Sequence, residues 1–450
     1  MQSSLIAKYG DARLPRYTSY PTSPRFSPAV DASTYGDWLA TLPMHKPASL
    51  YVHIPFCRSM CWYCACHTTI TRQDLPIHNY LQKLRKEIYL VSASTKARLN
   101  IDHVHFGGGT PTIMPPTEMR ALIGLLREYF DFADTVQIAL EIDPRTLEEE
   151  MATVLGEAGV SRASLGVQSF DPVVQKAINR TQSEEQTMDA VSRLRRAGVG
   201  SINFDLIYGL PYQTVDSCIE TTKAAITMRP DRFAVFGYGH VPSLKRHQGR
   251  IDESSLASSQ GRVAQAEAIA EHLVAAGYHC IGLDHFARPG DSLAIAQTNG
   301  QLHRNFQGYT TRACETLIGL GASAIGFMAG GYVQNEVRPS QYARRISSGR
   351  FATVRGYRLS PEDRLRADII DRLMCDFQVD VPSIAAAHGF EPGALLDGND
   401  RLSMLENDGI VENVDGVIQL REKRRFLIRA IAAAFDAYLE PSERSCSKAA

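Results

Sequence analysis

Residues 51–67 read YVHIPFCRSMCWYCACH, a short apolar run followed by four cysteines within ten residues. Cys57, Cys61 and Cys64 stand in a C-x₃-C-x₂-C arrangement, so three soft thiolates converge while a fourth ligand has no obvious owner. Iron–sulfur cubes are ordinarily held by four thiolates. A set of three leaves one iron open for a substrate or cofactor, as open catalytic metal sites differ from closed structural ones. The alternative is zinc with Cys66 or His67 as fourth ligand, but no second C-x₂-C or H-x₃-H knuckle occurs in the chain. Trp62 and Tyr63 lie inside the loop, where they would shield a redox centre and stack on a bound ring.

At these residues the sequence resembles the radical S-adenosylmethionine (SAM) enzymes and, more narrowly, the oxygen-independent coproporphyrinogen III oxidases (dehydrogenases) of haem synthesis. The resemblance implies a [4Fe-4S] cluster on Cys57, Cys61 and Cys64 whose open iron takes the amino and carboxylate groups of SAM.

Outward from the loop, apolar runs alternate with helical patterns. The runs are 50–54, 103–106, 136–142, 162–167, 201–208 and 232–238, and helices over 117–130 and 184–198 lie between them. Strand–helix alternation predicts parallel strands with outer crossovers. Six units are fewer than a closed barrel's eight, so an α/β fold with an open, partial (β/α)₆ barrel follows, the fold that the resemblance also implies. Ligands of such sheets bind at the carboxyl ends of the strands, where the cysteine loop begins.

The chain is expected to divide into an arm (1–48), a barrel (49–242), an extension completing the barrel and substrate cavity (243–358), a small winged-helix-like helical domain (359–440) and a disordered tail (441–450). Pro15 to Pro28, PRYTSYPTSPRFSP, has too many prolines for a regular element. Composition alone favours a tail, but Arg16, Tyr17, Tyr20 and Arg25 suit carboxylates and ring faces, and the coproporphyrinogen oxidases carry a similar element near the substrate. A covering arm is therefore expected. Residues 284–311 would form an unusually long loop if structureless, and long ordered loops tend to be functional. With 44% hydrophobic and 22% charged residues and a net charge of −1, the chain reads as a cytoplasmic enzyme with no global attraction to nucleic acid or membrane. Cys218, Cys280, Cys314, Cys375 and Cys446 are scattered singly, as in a reducing compartment.

Gly107, Gly108, Gly109 and Thr110 follow the second strand, where backbone N–H groups could approach a ligand closely. Polar groups fall at successive strand ends: Glu141, Asp143, Gln168, Asp205, and Gly239 with His240. By resemblance, Tyr63, Gly109, Thr110, Gln168, Arg180, Asp205 and Gly239 hold the SAM that ligates the cluster, while Tyr51, Gly108, Glu141 and Ile325 line a second SAM. No protein side chain is assigned as catalytic, since the chemistry belongs to a 5′-deoxyadenosyl radical. The implied substrate is coproporphyrinogen III, two of whose propionates become vinyl groups. Its carboxylates and pyrroles call for Arg16, Arg25, Arg288, His303, Arg304, Phe306 and Tyr309. The family also implies an electron donor such as flavodoxin or ferredoxin, and a monomer is expected.

The stretches DHFARP (284–289) and HRNFQGYTT (303–311), together with Cys66, strengthen the resemblance. Ala65, Gly237 and Gly239 depart from the family's usual residues without removing a ligand. Two other readings stand: a haem chaperone of the same family, and an iron–sulfur sensor that binds DNA through a basic face of Lys423, Arg424, Arg425 and Arg429.

Overall fold

A computed structural model describes residues 5–10, 12–43, 46–311, 315–421 and 425–439. Its main sheet has twelve strands. In chain order these are β1 Ala48–Ile54, β2 Asn100–Gly108, β3 Asp131–Ile142, β4 Arg162–Gln168, β5 Ser201–Tyr208, β6 Arg232–Gly237, β7 His279–Ile281, β8 His285–Ala287, β9 Leu317–Leu320, β10 Ile325–Met328, β11 Gly331–Asn335 and β12 Thr353–Arg358. Their spatial order is β12-β11-β10-β9-β1-β2-β3-β4-β5-β6-β8-β7, with the ends unpaired to each other. Strands β1 to β6 run parallel, each beside the next in sequence. This is the open, partial (β/α)₆ barrel.

Helices cover the parallel strands, so β1 is buried along its length except at half-buried Tyr51, and it reads as a continuous apolar run. The helix Pro116–Tyr129 buries Met119, Leu122, Ile123 and Leu126, one stripe at helical spacing. Glu184–Arg196 opens on a reciprocal cap between Ser183 and Gln186 and is followed by Gly198 at φ +88°.

The sheet is wider than six units. Strand β9 adds to β1 in parallel, and β10–β12 continue antiparallel. At the other edge β8 and β7 follow β6 antiparallel. These strands have three to six residues, too short to carry a clear period in the sequence. Residues 284–311 are not structureless: they hold β8, the helix Ser292–Thr298 and a hairpin of His303–Asn305 with Gly308–Thr310.

Two large hydrophobic cores result, with smaller clusters beside them. The first runs from Val30 to Ala352 between the barrel and its helices. The second joins Tyr9, Leu14, Tyr17 and Tyr20 of the arm to Leu365, Ile369, Leu373, Ile431 and Phe435. Thus the arm is anchored on the C-terminal region, where Tyr17 donates to Asp436 (3.0 Å) and Arg429 to the carbonyls of Pro15 (3.0 Å) and Leu14. In that region the hairpin Val411–Val414 and Val417–Leu420 turns on Asp415 (φ +52°) and Gly416 (φ +82°), the geometry that favours Asp-Gly in two-residue hairpin turns. Gln378–Asp380 pairs with this hairpin.

The expected terminal helix is short, Ile428–Ala433. Its basic face is spent internally: Arg429 is buried beneath the arm, while Arg425 donates to the Gly282 carbonyl and lies 4.5 Å over the Phe377 ring. That removes the two described cations from any DNA-facing surface. Lys423, Arg424, Cys314, Cys446 and residues 441–450 lie outside the described residues. Among the described residues no helix is long and apolar enough to cross a membrane.

Candidate active site

A cavity of about 1250 Å³ opens at the carboxyl ends of the parallel strands, between the cysteine loop and the arm. Cys57, Cys61, Cys64 and Cys66 line it, facing Leu14–Ser19 and Thr22–Pro24. All the described cysteines are free thiols.

The loop's course is dictated by groups remote in sequence. Asn179 donates to the Met60 carbonyl (2.7 Å), Gln248 to that of Tyr63 (3.0 Å), His247 to that of Cys64 (2.7 Å) and Lys245 to that of Cys66 (3.1 Å). At its base His53 meets the Tyr51 hydroxyl through Nδ1 (3.0 Å) and the His67 carbonyl through Nε2 (3.0 Å), so Nε2 carries the proton. Irregular backbone carbonyls are thereby satisfied without regular structure.

Each thiol has its own surroundings. Cys57 lies within reach of the hydroxyls of Thr68 (3.4 Å) and Thr110 (3.5 Å); burial pushes its thiol up, against those contacts. Cys61 faces the guanidinium groups of Arg180 (3.6 Å) and Arg145 (3.8 Å). Hydrogen bonding from Cys66 lowers the Cys64 thiol to about 7. Among the described residues no three ligating side chains gather around one ion. Cubane thiolates bind separate irons and stand apart, so three thiols spaced around a cavity fit a [4Fe-4S] cluster better than a mononuclear zinc.

The strand ends supply the polar wall. Gly108, Gly109, Thr110, Glu141, Gln168, Arg180, Asp205 and Gly239 line the cavity, as does Tyr63. Gln168 Oε1 and Arg180 Nε are buried with no partner among the described residues, and a ligand would satisfy both. The rest of Arg180 is committed: it donates to Gly166 O (2.6 Å) and to Asp143 (3.2 and 3.3 Å), which Arg145 also grips. Burial opposes the Arg180 charge, but Tyr63, Asp143 and Cys61 outweigh it. Burial, then the charge of Glu141, pushes Asp205 up to about 7 despite hydrogen bonds from Ser164 (3.1 Å) and Asn203 (2.8 Å). For Glu141, burial is outweighed by His105 (3.2 Å) and by the Gly108 amide (3.1 Å), and the carboxyl sits below its usual value.

The Gly108 N–H points to Glu141 and that of Gly109 to the Ile54 carbonyl (2.9 Å), so these two donors tie the strand ends together. What the glycines provide is room. Gly108 has φ +114° and an added Cβ there would lie 2.6 Å from the His53 ring. Tyr51 and Ile325 are not among the cavity's lining residues; Tyr51 stacks on His105 with centroids 5.8 Å apart.

Of the groups expected to meet substrate, Arg16 and Phe306 line the cavity. Arg25 donates to the Tyr438 carbonyl, and Arg288 to those of Pro230 and Arg229 (3.2 Å each). His303 binds Asp371 (2.9 Å), Arg304 forks onto Asp284 (3.1 and 3.2 Å) over the Tyr309 ring, and the Tyr309 hydroxyl donates to Met374 O. These five brace the 303–311 hairpin, the arm and the sheet edge. The sequence reading missed His53, Thr68, Arg145, His247 and Gln248; no spacing signal ties them to the cysteines, because they meet only in the folded chain.

Residues 51–225 match the Radical SAM superfamily. The chain is 53% identical over 449 residues to the oxygen-independent coproporphyrinogen III oxidase of Bradyrhizobium diazoefficiens, covering 100% of both chains. It is 39% identical over 442 residues to that of Escherichia coli, covering 98% of this chain and 96% of the other. The solved structure of the Escherichia coli coproporphyrinogen III oxidase HemN, a radical SAM enzyme, superposes with a TM-score of 0.90 at 38% identity, over 94% of this chain and 98% of that one. The three-thiol loop at the open barrel's mouth and these full-length likenesses agree: the chain belongs to the oxygen-independent coproporphyrinogen III oxidase family of the radical SAM superfamily.

Proposed function

We propose that this chain converts coproporphyrinogen III to protoporphyrinogen IX without oxygen, by oxidative decarboxylation of two propionates to vinyl groups. The observation that carries the reading is the three-thiol loop facing an arm-covered cavity, in a chain alike along its whole length to enzymes of that name. When bound, a reduced [4Fe-4S] cluster and SAM supply a 5′-deoxyadenosyl radical that takes a hydrogen atom from the propionate β-carbon. Cys57, Cys61 and Cys64 would hold the cluster. Tyr63, Gly109, Thr110, Gln168, Arg180, Asp205 and Gly239 would hold one SAM, with Asp205 suited to ribose hydroxyls and Arg180 offering its Nε as the donor left over from Asp143. Tyr51, Gly108, Glu141 and Ile325 would adjoin a second.

The arm's part is to exclude water and hold the propionate carbon near the reacting centre, an effect of roughly 7–11 kcal/mol for a well-oriented step. Residues 1–48, 49–242, 243–358 and 359–440 would act as arm, barrel, cavity-completing extension and C-terminal domain. A monomer in the cytoplasm, served by a flavodoxin or ferredoxin, suits the free, scattered cysteines.

The test is anaerobic. The reconstituted, reduced enzyme is given SAM and coproporphyrinogen III, and 5′-deoxyadenosine and protoporphyrinogen are counted together. Two 5′-deoxyadenosines per protoporphyrinogen support the reaction and its stoichiometry. Haem binding with neither product would transfer the chain to the chaperone reading.

A further inference from the structure

The chemistry proposed above needs single electrons delivered to a centre behind the cysteine loop, and the loop bears a feature that this chemistry leaves unused. Residues 245–250, KRHQGR, hold three cations and a histidine in six positions, and no acidic residue occurs from Val241 to Ile251. The turn Arg246–Arg250 lies directly against the loop. Lys245 and His247 donate to the carbonyls of Cys66 and Cys64, Gln248 to that of Tyr63, and the Arg250 guanidinium sits 5.8 Å from the Trp62 ring centroid.

This strap is not part of the cavity wall. Cys57, Cys61 and Cys64 line the cavity, whereas none of residues 244–250 does. Its cations therefore have no substrate to face. Arg246 and Arg250 are exposed, and Lys245, Arg246 and Arg250 form no ion pair among the described residues. Leu244 beside them is 60% exposed. Like charges kept together without an ion pair repel one another, and although Asp252 and Glu253 follow the strap, three cations over one loop make a local field that attracts an acidic partner.

We propose that residues 244–250 are the docking surface of an acidic one-electron donor protein. Leu244 supplies an apolar contact, and Arg246 and Arg250 pair with carboxylates around the donor's flavin or iron–sulfur centre. That centre loses one electron and the [4Fe-4S] cluster gains it. The 2.7 Å hydrogen bond from His247 to the Cys64 carbonyl is shorter than those from Lys245 to Cys66 and from Gln248 to Tyr63, and it would provide the crossing.

The inference rests on the radical SAM reading, and its test separates the two. Full-length wild type and Arg246→Glu/Arg250→Glu are titrated with oxidised flavodoxin at about 50 and 200 mM salt, a range over which screening strengthens. In parallel, 5′-deoxyadenosine formation is driven either by reduced flavodoxin or by dithionite, which needs no docking. We expect the flavodoxin Kd of the variant to rise about tenfold or more at low salt and to lose its salt dependence. Flavodoxin-driven turnover should fall in proportion, with dithionite-driven turnover unchanged and Arg246→Lys/Arg250→Lys close to wild type. An unchanged Kd overturns the proposal, as does an equal loss with both reductants. If dithionite drives no SAM cleavage in wild type, the radical SAM reading fails while the titration still decides the surface.

Discussion

At the scale of residues, the thiols and the glycines carry different burdens. Cys57→Ala, Cys61→Ala and Cys64→Ala each remove one of the three proposed cluster ligands, so each is expected to abolish 5′-deoxyadenosine formation and to lower bound iron severalfold, read by iron analysis after reconstitution. Gly108→Ala puts a Cβ 2.6 Å from the His53 ring at φ +114°. It should cost about 1–3 kcal/mol and weaken SAM binding; a Tm equal to wild type would mean that the ring gives way freely. Glu87 is a third case. It is 2% exposed, takes hydrogen bonds from Gly321 N (2.6 Å), Tyr342 Oη (2.7 Å) and Asn335 Nδ2 (2.7 Å), and burial pushes it from 4.5 up to about 7. The unfolded chain ionises there first. Stability from this site is thus complete below about pH 4 and falls as pH rises to about 7, by roughly 3 kcal/mol. Glu87→Gln should flatten that part of the curve; parallel Tm-versus-pH profiles from pH 5 to 8 would count against it.

Among elements, the arm is the informative one. The prolines of residues 15–28 leave only the three-residue helical turn Ser23–Arg25, so this stretch is ordered mainly by burying Tyr17 and Tyr20 in the second core and by lending the carbonyls of Leu14 and Pro15 to Arg429. Tyr17→Ala removes a large buried ring and should release the arm by about 3–5 kcal/mol. Faster protease cleavage within residues 12–26, with the barrel intact, is the expected readout. Substrate turnover should fall more than SAM cleavage without substrate, because the arm covers the cavity while the hydrogen-bond partners of Cys57 and Cys61 among the described residues, Thr68, Thr110, Arg145 and Arg180, all lie in the barrel. The 303–311 hairpin behaves differently: Arg304 and Tyr309 are spent on Asp284 and Met374, so residues chosen for substrate by their chemistry prove to be braces.

For the whole molecule, the two large cores lead us to expect that the site can be emptied without unfolding. The barrel's apolar cluster lies between strands and helices and includes none of Cys57, Cys61 and Cys64, while the loop is held by side-chain bonds from residues 179 and 245–248. Loss of iron to oxygen or chelator should therefore leave far-UV circular dichroism unchanged and reduce hydrogen-exchange protection only in residues 55–70. A global loss of helix on iron removal would show that the cluster is structural.

Much of this was legible in the sequence, and the reason is locality. The C-x₃-C-x₂-C spacing, the continuous apolar runs of buried parallel strands, the Asp-Gly turn and the helix stop at Gly198 are all decided by residues within a few positions of one another. Chain order alone then dictates that β1 to β6 lie side by side, which places Glu141, Gln168 and Asp205 at one rim. What only the tertiary structure decided is long-range partnership. Whether Arg180 faces a ligand or Asp143, whether Arg429 faces DNA or the arm, and which side chains pin the cysteine loop depend on contacts up to 415 residues apart. No local period records those contacts, because a buried cation takes whichever acceptor the fold brings within reach.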